Sequence, residues 1–390
     1  MELLAPTDPP TTSGTEQEGD RPPAVARWLW ASGSIRGPLE VNALPVAADC
    51  DSVRLAARDR RVVMGCIHFD DTGDDVVIDV LASSDGGVSW RTHSTVEAVD
   101  TELVAAAIAP DGTALLAGAC VAGERPCAPR APLRLSLDRS DEPRQSQAPE
   151  LVSAPRVPVF SVDGKRAYFL GRRAKDEQIA LFVSRDQGQT FASRPLTVPQ
   201  HATGRTDIAV EPTWDLTEDS PIRSLHPGAD GRIGIVVDVE PPAYLVTDAD
   251  GRVRRVAELP PNAVAVSGSG SWVFALAAGE PDHGASAKLA GWESSDGGQT
   301  FRQAAVTPSL LVDELEAEEL RCALAGCVVG DWATRLDWGR TGDDPQPPAR
   351  DESAPLPPLE PAVRPPFECE LDSAQAWSTI DDVAFGGALP

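Results

Sequence analysis

The chain is predicted to be all-β, built as a β-propeller of four-stranded sheets. Three observations predict it: short apolar runs broken by Asp-Gly turns, a turn signature recurring at regular spacing, and the near absence of helical periodicity. The 390 residues include 36 Pro and 32 Gly beside a 42% hydrophobic fraction. That composition suits many short strands and tight turns around a sizeable core.

Val62-Val63-Met64, Ala114-Leu115-Leu116, Tyr168-Phe169-Leu170, Ile235-Val236-Val237 and Trp272-Val273-Phe274 read as strands. Turns such as Pro110-Asp111-Gly112, Val162-Asp163-Gly164 and Ala229-Asp230-Gly231 separate runs of this kind. In an Asp-Gly turn the glycine supplies a positive φ, and the Asp side chain bonds nearby backbone amides. The best helical period, Leu311 to Leu320, is short and acidic and reads as a surface helix or loop.

The recurring signature is Ser83-Ser-Asp85-Gly-Gly87-Val-Ser89-Trp90, Ser184-Arg-Asp186-Gln-Gly188-Gln-Thr190-Phe191 and Ser294-Ser-Asp296-Gly-Gly298-Gln-Thr300-Phe301. Its form is Ser-x-Asp-x-Gly-x-(Ser/Thr)-aromatic. Worn copies stand between the full ones: Ser136-Leu-Asp138 keeps serine and aspartate, and Thr247-Asp-Ala-Asp-Gly251 keeps hydroxyl and glycine with its acid displaced by one. The five copies lie 53, 48, 63 and 47 residues apart, the length of a four-stranded blade with loop insertions, about 40 to 50 residues. Units are therefore expected at 50–97, 102–146, 155–199, 221–260, 263–307 and 317–340. Strands from Trp28 to Leu44, with Glu368 to Thr379, would complete a last blade by pairing the two chain ends. The count is six or seven, with seven favoured.

The full copies resemble the Asp-box, or bacterial neuraminidase repeat, of sialidase-like and sortilin-like propellers. The resemblance implies a turn between the last two strands of a blade, with the aspartate accepting backbone hydrogen bonds and the aromatic wedged inward. Each of these residue types solves a folding problem, so the motif residues are expected to be structural rather than catalytic.

A tail at 1–24 is expected to be disordered, because it has almost nothing to bury. The propeller is expected at 25–340, a Pro-rich linker or loop at 341–366, and a C-terminal segment at 367–390 that could close the last blade.

Acidic residues outnumber Lys and Arg by 60 to 34, for a formal net charge of −26. Nucleic acid is excluded as an expected partner, since no basic stripe is present to release phosphate counterions. No run of about 18 apolar residues occurs, so no membrane-spanning segment is expected. Met1-Glu-Leu-Leu-Ala-Pro lacks a basic segment followed by an apolar one, so no secretory signal is visible. The cysteines point the other way. Cys50 with Cys66, Cys120 with Cys127, and Cys322 with Cys327 are close pairs, leaving Cys369 over. Such pairs are candidate disulfides of an extracytoplasmic protein, in the periplasm or at the cell surface; buried free thiols are the alternative. Residue usage rich in Ala, Arg, Pro and Asp resembles that of a GC-rich bacterial genome.

The resemblance to sialidases implies an arginine cluster for the sugar carboxylate, a tyrosine nucleophile activated by a glutamate, an aspartate acid/base and an Arg-Ile-Pro motif near the start. This chain departs from that pattern: the nearest strings are Ile35-Arg36-Gly37-Pro38 and Pro221-Ile222-Arg223. Its two tyrosines, Tyr168 and Tyr244, sit in apolar runs, and Tyr244 with Glu240 is the one pair kept in view. Ser267-Gly-Ser269-Gly270 lacks the leading glycine of a nucleophile elbow and reads as a turn. His68, His93, His201, His226 and His283 are scattered without metal-ligand spacing. The loop Asp70-Asp71-Thr72-Gly73-Asp74-Asp75 could hold calcium, though it reads first as a solvated hairpin tip. No catalytic residue, cofactor or metal site is assigned. The expectation is a monomeric, non-catalytic module binding a protein or glycan; the alternative is a glycoside hydrolase with an unrecognised carboxylate pair.

Overall fold

Runs of β-branched and aromatic residues bounded by glycine turns become strands wherever both faces can be covered. In the computed structural model the residues described are 2–4, 29–33, 39–43, 50, 52–58, 60–69, 76–98, 104–120, 131–139, 142–153, 155–197, 203–204, 222–239, 241–278, 289–307, 320–323, 326–329, 334–339 and 382–383. Nearly all of the regular structure among them is β-strand.

Five units are antiparallel four-stranded meanders. Unit one is Ser52–Arg58, Arg61–Phe69, Val76–Ser83 and Arg91–Ala98. Unit two is Ala105–Ile108, Thr113–Ala117, Leu133–Ser136 and Arg144–Gln145. Unit three is Arg156–Phe160, Ala167–Arg172, Ile179–Ser184 and Ala192–Pro195. Unit four is Ile222–Pro227, Ile233–Val237, Ala243–Thr247 and Val253–Glu258. Unit five is Ala263–Ser269, Trp272–Ala278, Leu289–Ser294 and Arg302–Thr307. These strands fall at the expected units.

The first strand of each unit is an edge strand of its sheet, and these first strands lie against one another in succession, from 52–58 through 105–108, 156–160 and 222–227 to 263–269. Leu320–Ala323 continues the series beside 263–269, and Asp382–Val383 lies against 52–58. First strands inside and fourth strands outside, with sheets stacked around an axis, is the architecture of a β-propeller.

Stacking explains the strand sequences. Each sheet is covered on both faces, so second and third strands are apolar runs rather than alternating ones. Ala167–Leu170 and Ile179–Ser184 are buried throughout. Apolar clusters fill the seams: Ile78, Val80, Leu116 and Leu133 between units one and two, and Leu181, Val183, Ile235 and Leu245 between three and four.

The sixth expected unit differs. Leu320–Ala323, Gly326–Val329 and Thr334–Gly339 form a hairpin and a third strand, and that third strand pairs with the outer strand of unit five. The two units thus share one seven-stranded sheet. Turn spacing predicts the unit but not this edge pairing, which no local signal encodes.

The chain ends share a sheet in the order 382–383, 2–4, 29–33, 39–43. Glu2 stands opposite Val383 and Leu3 opposite Asp382. Glu2–Leu4 falls within the segment expected to be a disordered tail, yet it is a strand here. The linker at 341–366, the strand expected within 368–379 and the Leu311 helical period up to residue 319 lie outside the described residues. Among the described residues no helix is long and apolar enough to cross a membrane.

Candidate functional site

Each unit runs up and down, so its first-to-second and third-to-fourth turns share one end of the ring. The second-to-third and unit-to-unit connections leave from the other. The signature turns lie at the first end, where Gly86 N–H donates to Arg60 O at 2.8 Å and Gly297 N–H to Ser271 O at 2.8 Å. The longer connections, such as those from Pro195 to Ile222 and from Ala278 to Leu289, start and finish at the second end.

The signature residues form one repeated network. Ser83 Oγ donates to Asp85 Oδ1 at 2.8 Å and accepts from Gly87 N–H at 2.8 Å. Asp85 in turn accepts from Ser89 N–H at 2.9 Å and from Ser89 Oγ at 2.6 Å. Ser184, Asp186, Gly188 and Thr190 repeat this geometry, as do Ser294, Asp296, Gly298 and Thr300. The Ser89 hydroxyl, then its amide, and the Ser83 hydroxyl hold the Asp85 carboxyl down at about 2. At Asp186 and Asp296 partial desolvation pulls upward, but the hydroxyls of Thr190 and Thr300 and the neighbouring donors outweigh it, and both lie below the ordinary carboxylate value.

The aromatic that ends each copy packs inward. Trp90 Nε1 donates to Gly87 O at 3.0 Å and the ring packs beside Val62 and Leu81. Phe191 meets Phe169 edge to face at 4.7 Å, and Phe301 meets Tyr244 at 6.5 Å.

In the worn copies the carboxylates are diverted. Asp248 takes the capping role one residue early, accepting from Asp250 and Arg252 N–H at 2.9 and 3.0 Å. Asp138 instead receives both nitrogen arms of Arg61, from unit one, at 3.1 and 2.8 Å. That latch recurs in other forms: Arg134 Nε donates to Gln187 O at 3.0 Å, Ser146 Oγ to Gly188 O at 2.6 Å and Arg255 Nη2 to Gln299 O at 3.0 Å. Each ties a unit to the signature turn of the next. These residues belong to no local motif; their one signal in the sequence is a basic side chain on a strand of the preceding unit, as at Arg134 and Arg255.

Tyr168 is wholly buried, donates from its hydroxyl to Gly231 O at 2.6 Å, and burial pushes its phenol up. Tyr244 is buried and likewise pushed up by desolvation, while Glu240 lies outside the described residues. Ser267 and Ser269 end the inner strand of unit five, and Gly270 (φ 64°) turns the chain against Gly228. His226 Nε2 lies 3.1 Å from Ser224 Oγ, His93 Nε2 3.1 Å from Ser136 O, and His68 Nε2 3.3 Å from Asp79. His201, His283 and the loop 70–75 lie outside the described residues. Among the described residues no three His, Cys, Asp or Glu side chains gather as metal ligands. Cys50 and Cys66 are joined as a disulfide, with Cα atoms 5.5 Å apart. Cys322 and Cys327 are register partners, and Cys127 lies outside the described residues.

The first strands of successive units face one another around the axis of the ring. The class of protein is thus a β-propeller.

No family model matches the chain, and no curated protein matches it in sequence. Among solved structures, it is similar to the β-propeller domain of the Trilobed protease from Pyrococcus furiosus at 11% identity, covering 72% of this chain and 78% of that one, with a TM-score of 0.40. The GH93 α-L-arabinofuranosidase of Fusarium graminearum gives 13% identity, 72% and 93% coverage and 0.40. YCF48 bound to a D1 peptide gives 12%, 76% and 93%, and 0.35.

Proposed function

We propose that the chain is a non-catalytic propeller that binds a protein or glycan at its channel mouth. The observation that supports this reading is the use made of its reactive side chains. The signature carboxylates Asp85, Asp186 and Asp296 are engaged in capping their own turns, and Tyr168 in bonding across a seam. A stiff ring presenting connections of unequal length at one end suits recognition. In this reading the ring has seven blades, the seventh made from both chain ends. The signature residues are Asp-box residues with a structural role. Cys120 pairs with Cys127 and Cys322 with Cys327, and the monomeric protein works outside the cytoplasm; the Cys50–Cys66 bond favours that compartment.

The test is capture followed by product analysis. The purified chain is probed on a glycan array and against envelope proteins, and each captured ligand is recovered and weighed after prolonged incubation. A ligand retained intact is the expected result. Cleaved product, abolished by changing a single carboxylate at the channel, would establish the glycoside hydrolase alternative instead.

A further inference from the structure

Six Asp-Gly sequences occur in the chain, at Asp85, Asp111, Asp163, Asp230, Asp250 and Asp296, and all six lie among the described residues. In five of them the carboxylate is held. Asp85 and Asp296 cap their signature turns, through Ser83 and Ser89 and through Ser294 and Thr300. Asp111 accepts from Thr113 N–H at 3.0 Å and Gln187 Nε2 at 2.9 Å, Asp163 from Ser161 Oγ at 2.7 Å and Lys165 N–H at 3.1 Å, and Asp250 from Arg185 Nη2. Asp230 differs. It is exposed, and among the described residues its carboxylate has neither a hydrogen bond nor an ion pair.

The cause lies in the turn. Asp111, Asp163 and Asp230 occupy the same place, between the first and second strands of units two, three and four. In units two and three the amide two residues further on donates to the Asp side chain, the usual Asx arrangement. In unit four that amide, Arg232 N–H, donates to Ala229 O at 3.1 Å instead. Asp230 itself is left-handed, with φ 57° and ψ 28°, a conformation that Asp tolerates but does not prefer.

We propose that Asp230 is the residue at which this protein spontaneously isomerises to isoaspartate. The Gly231 amide nitrogen bonds to Asp230 Cγ, and the carboxyl hydroxyl leaves as water with the amide proton, closing a succinimide ring. Water then adds back, so no other reactant is consumed: opening at the main-chain carbonyl yields isoaspartate, and opening at Cγ restores Asp. Glycine presents no side chain to obstruct the attack, and a surface turn opens locally without unfolding the molecule. At the other five sites a carboxylate contact must break first. Such contacts also favour the ionised form, whereas ring closure draws on the neutral acid; the Ser89 and Ser161 hydroxyls hold Asp85 and Asp163 below the ordinary carboxylate value. Isomerisation inserts a methylene into the main chain just before Gly231, whose carbonyl accepts the Tyr168 hydroxyl across the seam of units three and four, so the modification loosens that seam.

The chain carries its own control. Ala229-Asp230-Gly231-Arg232 and Ala249-Asp250-Gly251-Arg252 are the same tetrapeptide, one with its carboxylate unheld and the other with it on Arg185. The experiment is prolonged incubation of the full chain at physiological temperature and pH, folded and in parallel in urea. Both samples are then digested, and isoaspartate is located by peptide mapping and counted by methyl transfer from S-adenosylmethionine with protein isoaspartyl methyltransferase. In the folded chain it should accumulate at Asp230 about tenfold faster than at Asp250, the effect of one charge-assisted contact; in urea the two sites should age alike. Equal accumulation at both sites in the folded chain, none at Asp230, or the same preference for Asp230 in urea would overturn the proposal.

Discussion

At Asp186 one carboxylate accepts from the Thr190 amide at 2.9 Å, the Thr190 hydroxyl at 2.7 Å and the Ser184 hydroxyl at 2.7 Å. Asp186→Ala removes all three, and since water can replace part of them the loss should be about 1–3 kcal/mol, read as a lowered urea midpoint. Asp85 predicts a pH dependence. Its folded value of about 2 lies below its ordinary 3.8, so the unfolded chain takes up the proton first as pH falls. The stability it contributes is complete above about pH 4 and disappears between about pH 4 and 2. Thermal melts over that range should show a shallower acid slope for Asp85→Ala than for the parent. These networks were legible in the sequence because serine, aspartate, glycine and hydroxyl lie within a few residues of one another. The Arg61–Asp138 latch was not, because its partners are 77 positions apart and only the ring brings them together.

Glycines show how one element is seated on the next. Gly188 has φ 82°, and a Cβ there would stand 2.8 Å from a Leu115 methyl of unit two. Gly298 is seated likewise on the Tyr244 ring of unit four, at 2.4 Å. Gly297, with φ 73°, faces open space. Gly188→Ala should therefore cost about 2–4 kcal/mol, combining left-handed strain with overpacking, and Gly297→Ala only about 1–2 kcal/mol. Equal losses in denaturant titration would contradict this packing. Tyr168→Phe removes the hydroxyl bond to Gly231 O across the seam of units three and four, leaving that carbonyl short of a donor. A loss of about 1–2 kcal/mol is expected. The motif announced each glycine, but the neighbour it meets was hidden, since inter-unit contacts have no periodicity along the chain. The same limit explains unit six: a unit at 317–340 could be placed by spacing, whereas the pairing of Thr334–Gly339 with Arg302–Thr307 could not.

Over the whole molecule the net charge is −26, yet arginines lie on inner and later strands alike, as at Arg54 and Arg156 on first strands and at Arg134 and Arg255 on third and fourth ones. The Cys50–Cys66 bond closes a loop of sequence separation 16 within unit one. Reduction should lower stability by about 3 kcal/mol, measured as the shift in urea midpoint with and without reductant. Closure of the ring is the claim on which channel, mouth and ligand all depend, and it rests on Glu2 standing opposite Val383. The direct measurement is oxidative crosslinking of the double variant Glu2→Cys, Val383→Cys, followed by peptide mapping. A disulfide joining the first and last peptides is expected in the folded protein, lost on denaturation before oxidation; a folded protein in which those two cysteines stay unjoined would contradict closure of the ring.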